Sequence, residues 1–148
     1  MISNSLSKYV KAGGYETHYL VAGAGTDNVA KDTGTIDRLG FLSALLLVIW
    51  RAIAVTDTAT LSFTIRRYQS ADGTNWDAAE TVQAATVAFT AATPTLTGKS
   101  IISIAQDLSA LKRYVKYDVI ADLSASGTDT AAYSVLCELG GADAIPTA

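Results

Sequence analysis

The chemistry open to this chain begins with His18, its single histidine. An imidazole is the usual general base of a Ser-His-acid triad, but this one stands in Thr17-His18-Tyr19-Leu20 with no nucleophile-elbow motif. It reads as a strand histidine. Cys137, the only cysteine, would need an activating base to act as a nucleophile. Its alternation with Tyr133, Val135 and Leu139 marks it as an apolar core thiol instead. One His and one Cys cannot by themselves build a four-ligand zinc site, and a His-rich metal set of the cupin kind is equally out of reach. Asp72, Asn75 and Asp77 gather oxygen ligands, yet their spacing departs from the calcium-loop pattern and lacks its distal Glu, so they read as turn formers. Asp118 and Asp122 share one face of a predicted strand but stand about 13 Å apart, too far for a paired-carboxylate acid/base site; they read as a solvated face.

Two further patterns invite a phosphate or nucleic-acid reading. Gly23-Ala24-Gly25-Thr26 resembles the start of a phosphate loop, but the final glycine is missing and a polar loop follows where a helix should begin. Arg66-Arg67-Tyr68 and Lys112-Arg113-Tyr114-Val115-Lys116-Tyr117 interleave cations and rings as a single-stranded nucleic-acid platform would. With a net charge of −3, a solvated sheet face or a protein interface is the favoured reading, because phosphate affinity comes from an excess of Lys and Arg. Trp50 and Trp76 read as core or lid residues. No catalytic, cofactor-binding or metal-ligating residue is therefore expected, and neither an enzyme nor a nucleic-acid partner is predicted.

The elements that hold these residues are predicted to be strands. At 148 residues the chain suits one domain with a substantial core. Charged residues make up only 17%, a surface suited to packing against protein. A lone cysteine excludes an intramolecular disulfide and fits assembly in a reducing cytoplasm. The first residues carry no signal-peptide pattern, and the longest apolar run, Gly40 to Trp50, is too short to span a bilayer, so no membrane partner is expected.

Residues 1–16 read as an N-terminal arm or irregular lead-in, 17–140 as the β-domain and 141–148 as a tail. Thr17 to Ala22 is one strand, and Thr26 to Asp37 a polar loop. Leu39 to Val55 is nearly all apolar, so periodicity cannot separate buried helix from buried strand over 39–47; Val48, Ile49, Ile53 and Val55 favour strand. One strand of that length would run about 55 Å, which predicts a bend or bulge near Arg51, or a strand shared between two sheets. Thr60 to Tyr68 alternates with Leu61, Phe63 and Ile65 inward, and Asp72-Gly73 supplies a hairpin turn after which Trp76 folds back as an apolar lid. Val87 and Phe89 mark a short alternation, Ala91 to Gly98 a loop, and Ile101 to Ile104 an apolar run. Arg113 to Leu123 alternates again, with Val115, Tyr117, Val119, Ala121 and Leu123 on one face, before a Ser124 to Asp129 turn and a last strand through Leu139. Short strands divided by turn residues, with no long amphipathic helix, predict an antiparallel β-sandwich or jelly roll.

Two stretches carry a resemblance. Ser70-Ala71-Asp72-Gly73-Thr74-Asn75-Trp76, followed by Leu111-Lys112-Arg113-Tyr114-Val115-Lys116-Tyr117-Asp118-Val119 and a Ser/Gly/Thr turn into a closing strand, resembles the head decoration (cement) proteins of tailed bacteriophages. The resemblance covers roughly the second half of the chain, and its motifs are turn and strand patterns, so no site is carried over. It implies a virion protein made in the host cytoplasm that binds the outside of the capsid and stabilises it by bridging major capsid subunits. A phage tail or neck component is the nearest alternative. The Asp-Gly-x-x-Trp turn also occurs in discoidin-like carbohydrate-binding modules, a second alternative. The apolar 39–55 segment offers more surface than one small sheet hides, which predicts a homo-oligomer, dimer or trimer.

Overall fold

The structure is a computed structural model and describes residues 11–21, 27–54, 60–88, 99–123 and 130–142. Their elements are β1 (Lys11–Val21), β2 (Ala30–Asp32), β3 (Ile36–Asp37), β4 (Phe41–Ala54), β5 (Thr60–Ser70), β6 (Glu80–Ala88), β7 (Lys99–Asp107), β8 (Tyr114–Leu123) and β9 (Thr130–Ala142). No helix occurs among the described residues, so none could cross a membrane. A four-stranded sheet runs β1-β9-β4-β7; a five-stranded sheet runs β2-β8-β5-β6, with β3 also on β8. Every pairing is antiparallel and the pairs nest, with β1 on β9, β2 and β3 on β8, β4 on β7 and β5 on β6. Such a nested hairpin, folded over so that β9 also pairs β4 and β8 also pairs β5, is a jelly roll.

Alternation explains why the two sheets meet face to face. Leu61, Phe63 and Ile65 of β5, Val115 to Leu123 of β8 at every second residue, Ala44 to Ala52 of β4 and Ala131 to Leu139 of β9 in the same rhythm are all buried. An aromatic spine crosses the sandwich: Phe63 from one sheet meets Tyr133 edge-on at 5.8 Å and Trp50 at 6.4 Å from the other. The Tyr133 hydroxyl donates to the Val119 carbonyl at 3.4 Å, tying β9 to the opposite sheet. Tyr117 is as deeply buried, and its hydroxyl has no hydrogen-bond partner among the described residues.

Several expectations change. The strand reading of 39–47 holds, since β4 starts at Phe41, and the bulge falls between Ala52 and Ala54, next to Arg51. The strand is not shared between sheets: both its partners, β7 and β9, belong to one sheet. Residues 11–16, read as lead-in, are the first part of β1, and β9 runs to Ala142, into the stretch read as tail. Ladder bonds between β1 and β9 hold these ends, and such backbone pairing leaves no mark on side-chain pattern. The polar loop 26–37 contains β2 and β3, two very short strands held to β8. β6 begins at Glu80, well before the alternation read at Val87. The 1–10 arm, the phosphate-like glycines, Val55, Phe89, the 91–98 loop and the 124–129 turn lie outside the described residues.

Candidate functional site

His18 lies on β1 opposite Tyr133, ring centroids 5.1 Å apart. Cys137 is fully buried on β9, and burial pushes its thiol up to about 12. Native protein is therefore expected to resist a thiol-reactive dye at pH 8 and to react once per chain in denaturant. Full labelling of the folded protein at the rate of a free thiol would contradict that placement.

The sheet β2-β8-β5-β6 brings the basic and aromatic motifs together on its outer face. The register sets Arg66 opposite Asp118, Tyr68 opposite Lys116 and Ser70 opposite Tyr114. Arg66 grips Asp118 with two nitrogens, Nε to Oδ1 at 2.9 Å and Nη2 to Oδ2 at 2.5 Å, and the Tyr68 hydroxyl donates to Oδ2 at 2.9 Å. The hydrogen bond and charge of Asp118 raise the Arg66 pKa against a smaller opposing effect of burial. Asp118 is only 5% exposed, which corrects its reading as solvated; Asp122, four residues on, is exposed as expected.

The other cations of these two motifs likewise have carboxylate partners within the chain. Lys112 reaches Asp77 at 2.7 Å, Arg113 reaches Asp37 at 2.7 Å and Lys116 reaches Asp32 at 3.7 Å. Arg67 points between the sheets, donating to Gln106 of β7 at 3.0 Å and to Glu80 at 2.5 Å. The Lys116 ammonium also lies 4.8 Å from the Trp76 ring and 5.1 Å from that of Tyr68, while Arg113 sits 5.0 Å over Tyr114. Trp76 is thus a half-buried partner of a cation and not an apolar lid. Each of these rings has a cation of the chain beside it.

The turn after β5 is a closed unit. The Asp72 carboxylate accepts the Thr74 and Asn75 amides at 2.9 and 2.8 Å, the Asn75 side-chain amide at 2.7 Å and the Ser70 hydroxyl at 2.9 Å. These donors, Asn75 first, hold Asp72 well below the usual carboxylate range. Its oxygens serve the turn, as read. Gly73 takes φ +77° with its α-carbon facing the Tyr114 ring, where an added Cβ would come within 3.5 Å. The two segments singled out in the sequence, 70–76 and 111–119, therefore pack against each other through Gly73 on Tyr114 and Trp76 under Lys116, with Lys112 on Asp77 just beyond the first of them.

The outer face of the β1-β9-β4-β7 sheet has the opposite character. Leu45 is 38%, Ile49 44% and Ile101 58% exposed, large apolar side chains aligned by register on adjacent strands. Leu47 and Leu136 stand between them, opposite each other. Sequence reasoning found the apolar segment but could not say that half of it faces outward. No cluster of potential metal ligands occurs among the described residues.

No family model matches the chain, and no curated protein matches it. Among solved structures, an Eiger TNF from S. frugiperda superposes with a TM-score of 0.55 at 15% identity, covering 95% of this chain and 98% of that one. A VP2 subviral particle of infectious bursal disease virus aligns at TM-score 0.47 and 15% identity over 93% of this chain, which spans 33% of that protein. A CBM4 domain aligns at TM-score 0.42 and 16% identity, over 84% of this chain and 73% of that one. At such identities the likeness is one of fold, and the fold is an all-β jelly roll of two antiparallel sheets.

Proposed function

We propose that this chain is a non-enzymatic structural protein that works by protein contact, as a virion component on the outside of a phage capsid bridging major capsid subunits. The observation that carries the contact reading is the exposed row Leu45, Ile49 and Ile101 on one sheet face, set against an opposite face whose cations are paired within the chain. Contiguous exposed apolar surface on a small domain marks an interaction site. The placement on a capsid is supported by the resemblance of residues 70–76 and 111–119 to head decoration proteins, two segments that pack together where β5 ends and β8 begins.

Cosedimentation with assembled capsids of the phage of origin tests this, with unassembled major capsid subunits as control. Saturable binding to shells and none to free subunits is the expected result. Absence of binding to shells would remove the capsid reading and favour a tail or neck position.

A further inference from the structure

The outer face of the β1-β9-β4-β7 sheet carries a charge pattern as well as an apolar one. Register lays its residues out in rows across β7, β4 and β9: Asp107, Ser43, Gly140; Ala105, Leu45, Glu138; Ser103, Leu47, Leu136; Ile101, Ile49, Ser134; Lys99, Arg51, Ala132. Both cations stand at one end and both carboxylates at the other. Lys99 and Arg51 are directly opposite each other, a like-charge pair that costs stability, and neither forms an ion pair among the described residues. Shallow depressions of about 290 and 280 Å³ flank the central row, one beside Glu138 and one beside Arg51 and Lys99.

We propose that this face is a self-complementary interface with a second copy of the chain, related by a two-fold axis lying across the strands at Leu47. Such an axis turns the sheet over end for end. Asp107 of one copy then comes over Lys99 of the other, Glu138 comes over Ser134, one row and one strand from Arg51, Leu47 meets its own counterpart, Leu45 faces Ile49, and small Ala105 faces large Ile101. An axis along β4 would instead set the two cationic ends on each other, with Arg51 over its own counterpart, so charge selects the first arrangement. The face is about 26 Å long over these rows and four strands wide, a footprint of roughly 500 Å², at the low end for a specific contact and suited to micromolar affinity. The inference rests on the reading of this face as a contact surface and names what covers it.

Light scattering at about 100 μM should give twice the 15.4 kDa chain mass. The double variant Arg51→Glu with Lys99→Glu makes both ends acidic, and Asp107→Lys with Glu138→Lys makes both basic. Each alone should weaken the dimer by more than about tenfold, while an equimolar mixture should restore a dimer containing one of each. Thermal melting checks that all variants fold, since Asp107 also accepts the Ser109 amide. A monomeric or trimeric wild type overturns the proposal, as does a mixture that fails to pair. Capsid cosedimentation is scored separately: a monomeric wild type that still binds shells removes the dimer alone, and a dimer that ignores shells removes the capsid reading alone.

Discussion

Replacing Phe63 with alanine is expected to cost about 3–5 kcal/mol, the range for truncating a buried aromatic side chain. Phe63 is 1% exposed and is the ring through which β5 touches Tyr133 and Trp50 on the other sheet. Its loss leaves a void between two sheets that ladder bonds hold in place, so the site cannot collapse. Domains of this size have total stabilities of about 5–15 kcal/mol, so the variant should melt about 10–15 °C lower. Ser62→Ala, one residue away on the outer face, should stay within about 0.5 kcal/mol. Equal effects of the two would contradict the alternation on which the sandwich is built.

That alternation made β5, β8 and β9 readable in the sequence, because each has one face in the core and one outside. β4 resisted the same logic. With Leu46, Val48 and Trp50 inside and Leu45, Leu47 and Ile49 outside, both faces are apolar and the period of two disappears. The ambiguity at 39–47 and the exposed apolar strip are one fact seen from two sides. β2 and β3 were hidden because three-residue and two-residue strands on a sheet edge are stabilised by pairing to β8 and not by their own pattern. The turn chemistry at Asp72-Gly73 is local and was legible; its contact with Tyr114 is a matter of register between β5 and β8 and was not.

Asp118 marks the limit most sharply. Within β8 it alternates with Lys116 and Ile120 and looks like any outward carboxylate. Its burial comes from Arg66 and Tyr68 on the neighbouring strand, which the sequence cannot align without the register. The pairing of adjacent outward residues Arg66 and Asp118 shows that a polar sheet face can be as specifically organised as a core.

Asp118→Ala should accordingly destabilise the domain far more than a surface ion pair would. It removes the acceptor of two Arg66 bonds and one Tyr68 bond and leaves a guanidinium in a site where it is 29% exposed, unable to recover full hydration. Breaking a fully buried pair costs about 3–5 kcal/mol; the residual exposure of Arg66 brings the expectation to about 2–3 kcal/mol. Removing both partners should cost less than the sum of the single changes, because the double variant strands no charge. A double-mutant cycle of Arg66→Ala and Asp118→Ala, followed by denaturant titration, is therefore expected to give a coupling of about 1–3 kcal/mol. A coupling below about 0.5 kcal/mol would reduce the pair to an ordinary solvated contact. The aromatic neighbour gives an independent reading of the same network: with the Asp118 charge gone, the Tyr68 hydroxyl loses both its acceptor and one of the influences that raise its pKa, so its titration, followed by ultraviolet absorbance, should shift downward.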